Sequence, residues 1–192
     1  MSYIQDLVKN QIAIWFPKTK ILENYRPEWL IGLEMDLYLP EFNLAIEVNG
    51  LQHFVKIDAF FKKESQFEMQ LIRDHIKKKI LQNEKIKLIS IKQGATMFNE
   101  LCFKINYIFN NKPVVNKELL KAAKNYWLNN RDAYFESSTL QEKRVDLLQE
   151  EYNIYNLLIK NKQYKEAYSF LKTKAYIVNK KFNTKLKRMY GK

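Results

Sequence analysis

Two segments of this 192-residue chain carry acidic and amide side chains at the spacing of β-strands. Glu34 and Asp36 alternate with one apolar row, Glu47 and Asn49 alternate with another, and the turn-forming stretch 40–43 separates them. A hairpin closed symmetrically by that turn pairs Asp36 with Glu47, with β-carbons roughly 5 Å apart. Such carboxylates repel each other unless a cation joins them, and oxygen ligands favour Mg²⁺ or Mn²⁺. The residues alone also allow a solvated polar face balanced by basic neighbours.

The hairpin needs a sheet around it, and the first half of the chain predicts one. The apolar pattern changes between a period of two residues and the helical period, which is typical of an α/β domain. Ser2 and Gln5 have the spacing of a capping box at the start of the first helix, and Ser65 and Glu68 repeat it later. The predicted elements are a helix over 2–15, a strand over 21–25, hairpin strands over 31–39 and 44–48, a helix over 65–81, a strand over 86–91 and a helix over 96–109.

The second half of the chain predicts helices only. The apolar spacing indicates helices over 116–127, 138–160 and 163–180, with Asn116 and Ser138 as N-caps. A turn-forming segment at 111–113 divides the chain into predicted domains 1–112 and 113–192. Part of the second half faintly resembles a tetratricopeptide repeat, but one copy cannot bury a core, so an antiparallel helix pair is the better interpretation.

Composition excludes several classes of protein. Hydrophobic residues make up 46% of the chain, too many for intrinsic disorder, and no apolar run approaches the length of a membrane span. One cysteine and two histidines exclude an internal disulfide and disfavour a Cys/His zinc site. The net charge of +12 favours a polyanionic partner, most often nucleic acid. We expect an intracellular, cytoplasmic protein without a membrane partner, with a phage or a virus among its conceivable sources.

The segments EMDLYLPEFNLAIEVNGLQHF and LIRDHIKKKILQNEKIKLISI resemble nucleases related to the very-short-patch-repair endonuclease. That group, with several phage and giant-virus nucleases, is a branch of the PD-(D/E)XK restriction-endonuclease-like superfamily. The resemblance covers residues 25–92 and rests on several separated elements in the same order. They are Asp36, Tyr38 and Pro40, the Ala-Ile-Glu strand ending at Glu47, Gly50, Gln52 with His53, and Arg73, Asp74 and Lys77.

The resemblance implies a restriction-endonuclease-like core, with elements in the order α-β-β-β-α-β and a mixed sheet flanked by helices, followed by an all-helical C-terminal region. It implies metal-dependent hydrolysis of DNA phosphodiester bonds, by nicking, homing-type or structure-specific cleavage. Asp36, Glu47 and the backbone carbonyl of Val48 would hold the Mg²⁺ or Mn²⁺ ion. Asn49 stands where the superfamily usually has lysine, and an amide cannot act as a base. The group that activates water therefore stays open.

Other residues of the resemblance have candidate catalytic roles. His53 titrates near neutral pH and could assist proton transfer, and Gln52 could hydrogen-bond a phosphate or a water. On the predicted helix, Lys77 would stabilise transition-state charge in place of the missing lysine. Asp74 would orient Lys77 or His53 or add an outer metal ligand, and Arg73 would bind nucleic acid. An ordinary solvated helix flank is the alternative interpretation.

The C-terminal segment carries a second predicted nucleic-acid contact. Residues 1–110 hold 15 basic and 13 acidic side chains, whereas residues 111–192 hold 18 and 8. Basic residues neutralise phosphates without reading bases, so this region favours DNA, with RNA open as a substrate. The residues assigned to this contact are Lys172, Lys174, Lys180, Lys181, Lys185, Lys187 and Arg188.

The sequence thus predicts a Mg²⁺-dependent endodeoxyribonuclease. The alternatives are a catalytically inactive nucleic-acid-binding module on the same fold, which Asn49 makes conceivable, and an adaptor that binds a protein through its C-terminal helices. Those helices are also a candidate surface for a homodimer.

Overall fold

The computed structural model describes residues 2–50, 56–57, 64–135, 138–139 and 149–174. These residues form a mixed α/β structure with a four-stranded sheet and helices. The predicted helices and strands of the first half of the chain follow one another in the expected order, but the structure adds a short strand, Lys56–Ile57, between the hairpin and the next helix. The elements are α1 (Tyr3–Trp15), β1 (Leu22–Tyr25), β2 (Met35–Leu39), β3 (Leu44–Asn49), β4 (Lys56–Ile57), α2 (Glu64–Asn83), β5 (Lys87–Lys92), α3 (Met97–Phe109), α4 (Lys117–Phe135), β6 (Ser138–Thr139), α5 (Gln149–Lys160) and α6 (164–174).

The predicted capping box opens α1. The Ser2 hydroxyl accepts a hydrogen bond from the Gln5 backbone N–H at 3.2 Å, and the Gln5 side chain accepts one from the Ser2 N–H at 2.8 Å. Two backbone donors that a helix start leaves unsatisfied are thereby paired. This fixes where α1 begins.

The hairpin of β2 and β3 has the predicted register. Leu37 pairs with Ile46 and Leu39 pairs with Leu44, so continuing the register places Asp36 across from Glu47. A short 3₁₀ turn over 40–42 closes the hairpin and ends at Asn43, whose φ of 50° is tolerated by asparagine more readily than by most residues.

The first hairpin strand is shorter than predicted. The expected strand over 31–39 begins only at Met35, because Ile31 has a φ of 53° and Gly32 a φ of 80°, which turn the chain before it can extend. Residues Ile31, Leu33 and Met35 consequently pack with α2, whereas Leu37 and Leu39 pack with α1. The single apolar row predicted over this segment is therefore wrong.

The sheet has the strand order β1-β2-β3-β5. β2 runs antiparallel to β1 and to β3, while β5 lies parallel to β3 and is reached through α2. The carboxyl ends of β3 and β5 therefore meet at one edge, where Asn49 pairs with Lys92. Ligands of sheets with parallel strands commonly bind beyond such ends.

Two groups of buried residues cover the two faces of the sheet. The first core cluster joins the sheet to α1, α3 and α4 through Ile12, Ile46, Leu101, Ala123 and their neighbours. The second core cluster joins it to α2, α5 and α6. Its members include Ala45, Ile72, Ile76, Ile80, Tyr155, Ile159, Tyr164, Ala167 and Leu171. Because Ala45 and Ile46 alternate along β3, the clusters lie on opposite faces.

The C-terminal helices differ in part from prediction. Asn116 caps α4 as predicted, its side-chain oxygen accepting hydrogen bonds from the N–H groups of Glu118 and Leu119 at 2.9 and 3.1 Å. The helix predicted over 138–160 is wrong at its start, because Ser138–Thr139 pairs with Lys56–Ile57 as a short antiparallel ladder. The C-terminal region is therefore not all-helical. The division at residue 112 stays a prediction.

Among the residues that the structure describes, no helix combines the length and the apolar character required to cross a membrane.

Candidate functional site

A cleft of about 380 Å³ lies where the hairpin, α2, the start of α1 and α4 approach one another. Asp36, Glu47, Val48, Asn49, Arg73, Asp74 and Lys77, seven of the predicted site residues, line it together. The remaining lining residues are Ser2, Ile4, Gln5, Leu33, Glu34, Gly50, Gln70, Gln93 and Tyr126.

The two carboxylates at the centre of the prediction are held differently. The Asp36 Oδ2 atom accepts a hydrogen bond from the Val48 backbone N–H at 2.8 Å, so the side chain fixes the strand opposite it. Glu47 is only 5% exposed, although carboxylates are rarely buried. The expectation of a solvated polar face is therefore wrong for Glu47.

Lys77 reaches from α2 to the buried carboxylate. Its Nζ atom lies 2.5 Å from the Glu47 Oε2 atom and donates a second hydrogen bond to the Glu34 carbonyl at 3.0 Å. The side chains of Lys77 and Glu47 are 15% and 6% exposed, so the pair is largely removed from water. The predicted approach of the basic flank of α2 to the hairpin is confirmed for Lys77.

Burial dominates the electrostatics of Glu47. Desolvation is the largest influence and raises the pKa of its carboxyl, Lys77 lowers it and the nearby Asp36 charge raises it, and the net result is a pKa of about 7. The Glu47 Oε1 atom is buried and makes no hydrogen bond within the described part of the chain. A buried acceptor without a partner is costly, so the described part of the chain leaves the burial of this atom uncompensated.

The other predicted residues of α2 lie at the rim of the cleft. Arg73 is exposed, and Asp74 is partly buried with its Oδ1 atom accepting a hydrogen bond from the Gln70 amide at 3.0 Å. The structure therefore places a cation and a further carboxylate beside the Glu47–Lys77 pair.

The Asn49 side chain has a structural contact within the sheet. Its side-chain N–H donates a hydrogen bond to the Ser90 hydroxyl on β5 at 2.7 Å. This contact ties the carboxyl ends of β3 and β5 together. The hydrogen bond to Ser90 explains the position of Asn49 without any role in activating water.

Two of the basic residues predicted to contact nucleic acid, Lys172 and Lys174, lie on α6 and do not line the cleft. Lys172 is exposed on α6, while Lys174 forms an ion pair with Glu151 at 2.8 Å and lies over the Phe170 ring. The remaining predicted residues lie outside the described residues. They are Gln52, His53, Lys180, Lys181, Lys185, Lys187 and Arg188.

Sequence reasoning missed part of the cleft. Gln93, which follows β5, and Tyr126, which lies in α4, also line the cleft. Both are far along the chain from the hairpin. The sequence also does not indicate that the Glu34 carbonyl accepts a hydrogen bond from Lys77, because every residue has a backbone carbonyl. The Glu34 side chain instead pairs with Arg26 at 2.7 Å. Only a three-dimensional arrangement brings these groups together.

The charge of the cleft is opposite to that of the chain. Four carboxylates line it against two cations, although the chain carries +12 overall. The acids are Glu34, Asp36, Glu47 and Asp74, and the cations are Arg73 and Lys77. In the described ranges no group of three or more His, Cys, Asp or Glu side chains has the geometry of a metal site.

The available donors nevertheless suit Mg²⁺. This ion keeps several waters and commonly takes only one or two protein carboxylates. Asp36, Glu47 with its unpartnered Oε1 atom, and the Val48 carbonyl provide oxygen ligands of that kind.

Part of this chain is similar to a viral protein. No family model matches the chain, and no solved structure matches it. A 60-residue stretch is 36% identical to the uncharacterized protein 307L of Invertebrate iridescent virus 6. The match spans 31% of this chain and 30% of the viral protein.

Proposed function

We propose that this protein is a Mg²⁺-dependent endonuclease that hydrolyses DNA phosphodiester bonds in the cleft around Asp36 and Glu47. The observation that carries the proposal is the buried Glu47 carboxylate, which faces Asp36 across the hairpin and has one oxygen unpartnered in the described residues. A fold selected only for stability gains nothing from burying that group. A divalent cation bound to the Glu47 carboxylate would offset the free-energy cost of burying it.

The proposed core is the restriction-endonuclease-like one. The observed order of a helix, an antiparallel three-strand unit, a helix and a parallel strand supports this assignment. Asp36 at the start of the second strand and Glu47 near the end of the third also occupy the positions that the resemblance implies. The proposal of a restriction-endonuclease-like core rests on the topology together with the positions of Asp36 and Glu47 on their strands.

Each charged residue of the cleft has a role in the proposal. Asp36, Glu47 and the Val48 carbonyl would hold Mg²⁺ or Mn²⁺, which when bound supplies a water of lowered pKa and neutralises phosphate charge. Lys77 favours the ionised form of Glu47 by direct contact and offers its ammonium group to the phosphate. Arg73, exposed at the rim, attracts the DNA backbone.

Cleavage of supercoiled plasmid tests the function. Purified protein is incubated with Mg²⁺, with Mn²⁺ or with EDTA, and nicked and linear products are separated by electrophoresis. We expect nicking with either metal and none with EDTA. Asp36→Asn should reduce the rate by about 100-fold or more, as expected when transition-state charge is no longer neutralised.

Glu28→Gln is the matched control, because Glu28 is an exposed acid outside the cleft. It should nick at the wild-type rate. Wild-type activity of Asp36→Asn would refute the mechanism. DNA binding that EDTA does not change, with no cleavage of any substrate, would establish the inactive binding module instead.

A further inference from the structure

The cleft has two chemically different sides. The hairpin and α2 provide its charged groups, whereas α1, the segment after β5 and α4 provide Ser2, Gln5, Gln93 and Tyr126, none of which is charged. Because α2 covers one face of the sheet and α1 and α4 cover the other, these two sets flank the sheet end from opposite directions. A ligand filling the cleft meets ionic groups on one side and neutral groups on the other.

The neutral side contains an aromatic surface. Tyr126 lines the cleft, and its ring centroid lies 5.2 Å from that of Tyr3, with an angle of 38° between the ring planes. Tyr3 is 50% exposed. The adjacent turn of α4 is anchored through Ala123 in the first core cluster. Tyr126 is therefore held in place at the cleft wall and backed by a second ring.

Gln93 adds hydrogen-bonding groups beside this aromatic surface. Its backbone N–H donates to the Asn49 carbonyl at 2.8 Å, which fixes its position at the ends of β3 and β5. Gln93 lines the cleft, and its side-chain amide forms no hydrogen bond with the residues the structure describes. A free amide offers one acceptor and two donor hydrogens, the combination that reads the edge of a nucleobase.

We propose that the neutral side of the cleft binds an unpaired base of the nucleotide next to the scissile phosphate, with Tyr126 stacking on the base and Gln93 hydrogen-bonding its edge. In a paired duplex the neighbouring base pairs cover both faces of each base, so stacking on a protein ring requires an unpaired or extruded base. The preferred substrate is then a strand with unpaired bases, such as a single strand, a flap or a mismatch. This inference rests on the proposed nuclease function.

The test measures base stacking without cleavage. A single-stranded DNA 12-mer with one 2-aminopurine, and the same strand in a fully matched duplex, are titrated with the full-length protein in EDTA. The fluorescence of 2-aminopurine falls when the base stacks. We expect quenching and tighter binding for the single strand, and a loss of affinity of about 5- to 150-fold in Tyr126→Ala, the range for one base–aromatic stack.

Three variants separate stacking from folding. Tyr126→Phe keeps the ring and should recover most of the affinity that Tyr126→Ala loses. Gln93→Ala alters a partly exposed side chain outside both core clusters, so it should fold normally and weaken single-strand binding. Tyr107→Ala removes a tyrosine that is 84% exposed on α3 and should bind like the wild type.

The outcomes distinguish this inference from the proposed function. Equal affinity for single strand and duplex, or wild-type quenching in both Tyr126→Ala and Gln93→Ala, would overturn the base site even if plasmid is nicked. Quenching that depends on Tyr126 and Gln93, without metal-dependent cleavage of any DNA, would retain the base site and reject the nuclease.

Discussion

The contact between Lys77 and Glu47 gives the most specific prediction about this cleft. The substitution Lys77→Met keeps the length of the side chain and removes its charge, so the buried Glu47 carboxylate loses its partner. Breaking a buried pair by removing one member costs about 3–5 kcal/mol of folding free energy. At pH 8 a carboxyl with a pKa of about 7 is mostly ionised in the wild-type protein, and we expect a loss of about 2–3 kcal/mol, below that full cost because Glu47 of the variant can take up a proton.

The cost should be smaller at pH 5 by about 1.4 kcal/mol, the free energy of the one pKa unit between pH 7 and pH 8. Burial raises the pKa of Glu47 from 4.5 to about 7, so at pH 5 the folded protein already holds a proton on this carboxyl. Lys77→Met then removes only a hydrogen bond to a neutral acid, which is worth about 1 kcal/mol. The sign follows from linkage. A raised carboxyl pKa stabilises the folded state at low pH, and this contribution is lost as pH rises from 4.5 towards 7.

The assay is urea unfolding at pH 5 and pH 8, followed by tryptophan fluorescence and circular dichroism. Comparing variant with wild type at each pH cancels the titration of all other groups. Lys124→Met is the matched control, since Lys124 is exposed on α4 and has no ion-pair partner among the described residues. The control should stay within about 0.5 kcal/mol of the wild type at both pH values. An equal cost of Lys77→Met at pH 5 and pH 8 would refute the raised pKa of Glu47.

Two further predictions concern other parts of the fold. His75 packs against Tyr155 with ring centroids 5.5 Å apart, and burial together with Lys79 and Lys78 lowers its pKa to about 4. Its contribution to stability should therefore be lost as pH falls from 6.5 towards 4, and an NMR titration of the His75 ring with a midpoint above 6 would contradict the burial argument. Ser2→Ala removes the cap of α1 and should cost about 1 kcal/mol, lowering the melting temperature by about 3 °C. An unchanged melting temperature would show that the cap does not stabilise α1.

The hairpin and its register were predictable because local patterns determine them. Alternation identified the strands, the turn at 40–43 fixed the pairing, and a slip of one residue would have exposed an apolar row. Asp36 and Glu47 could therefore be paired from the amino-acid sequence alone. The approach of Lys77 was predictable for the same reason, since the buried stripe of α2 dictates where its flank points.

The remaining features depend on contacts distant in sequence. Ile31 adopts a left-handed conformation, which is rare for a β-branched residue, so alternation extended the predicted strand too far. The two-residue ladder at Ser138–Thr139 pairs with residues about eighty positions earlier, and no local pattern identifies such a partner. Tyr126 and Gln93 reach the cleft only because α4 and β5 pack beside the hairpin.

The burial of Glu47 was also hidden in the sequence. Alternation placed its side chain on the face opposite the first core cluster, and an antiparallel hairpin often leaves that face in water. Here the second core cluster, built from α2, α5 and α6, covers the same face. Polar residues on a strand indicate which side they point to, but not whether a helix lies over them.

Calorimetric titration of the metal-free protein with Mn²⁺ at pH 8 tests most directly whether Asp36 and Glu47 together bind a divalent cation, as we propose. We predict saturable binding to the wild type and to Glu28→Gln, and its loss in Asp36→Asn and in Glu47→Gln. Absence of Mn²⁺ binding to the wild type, or binding that survives in both cleft variants, would contradict the account.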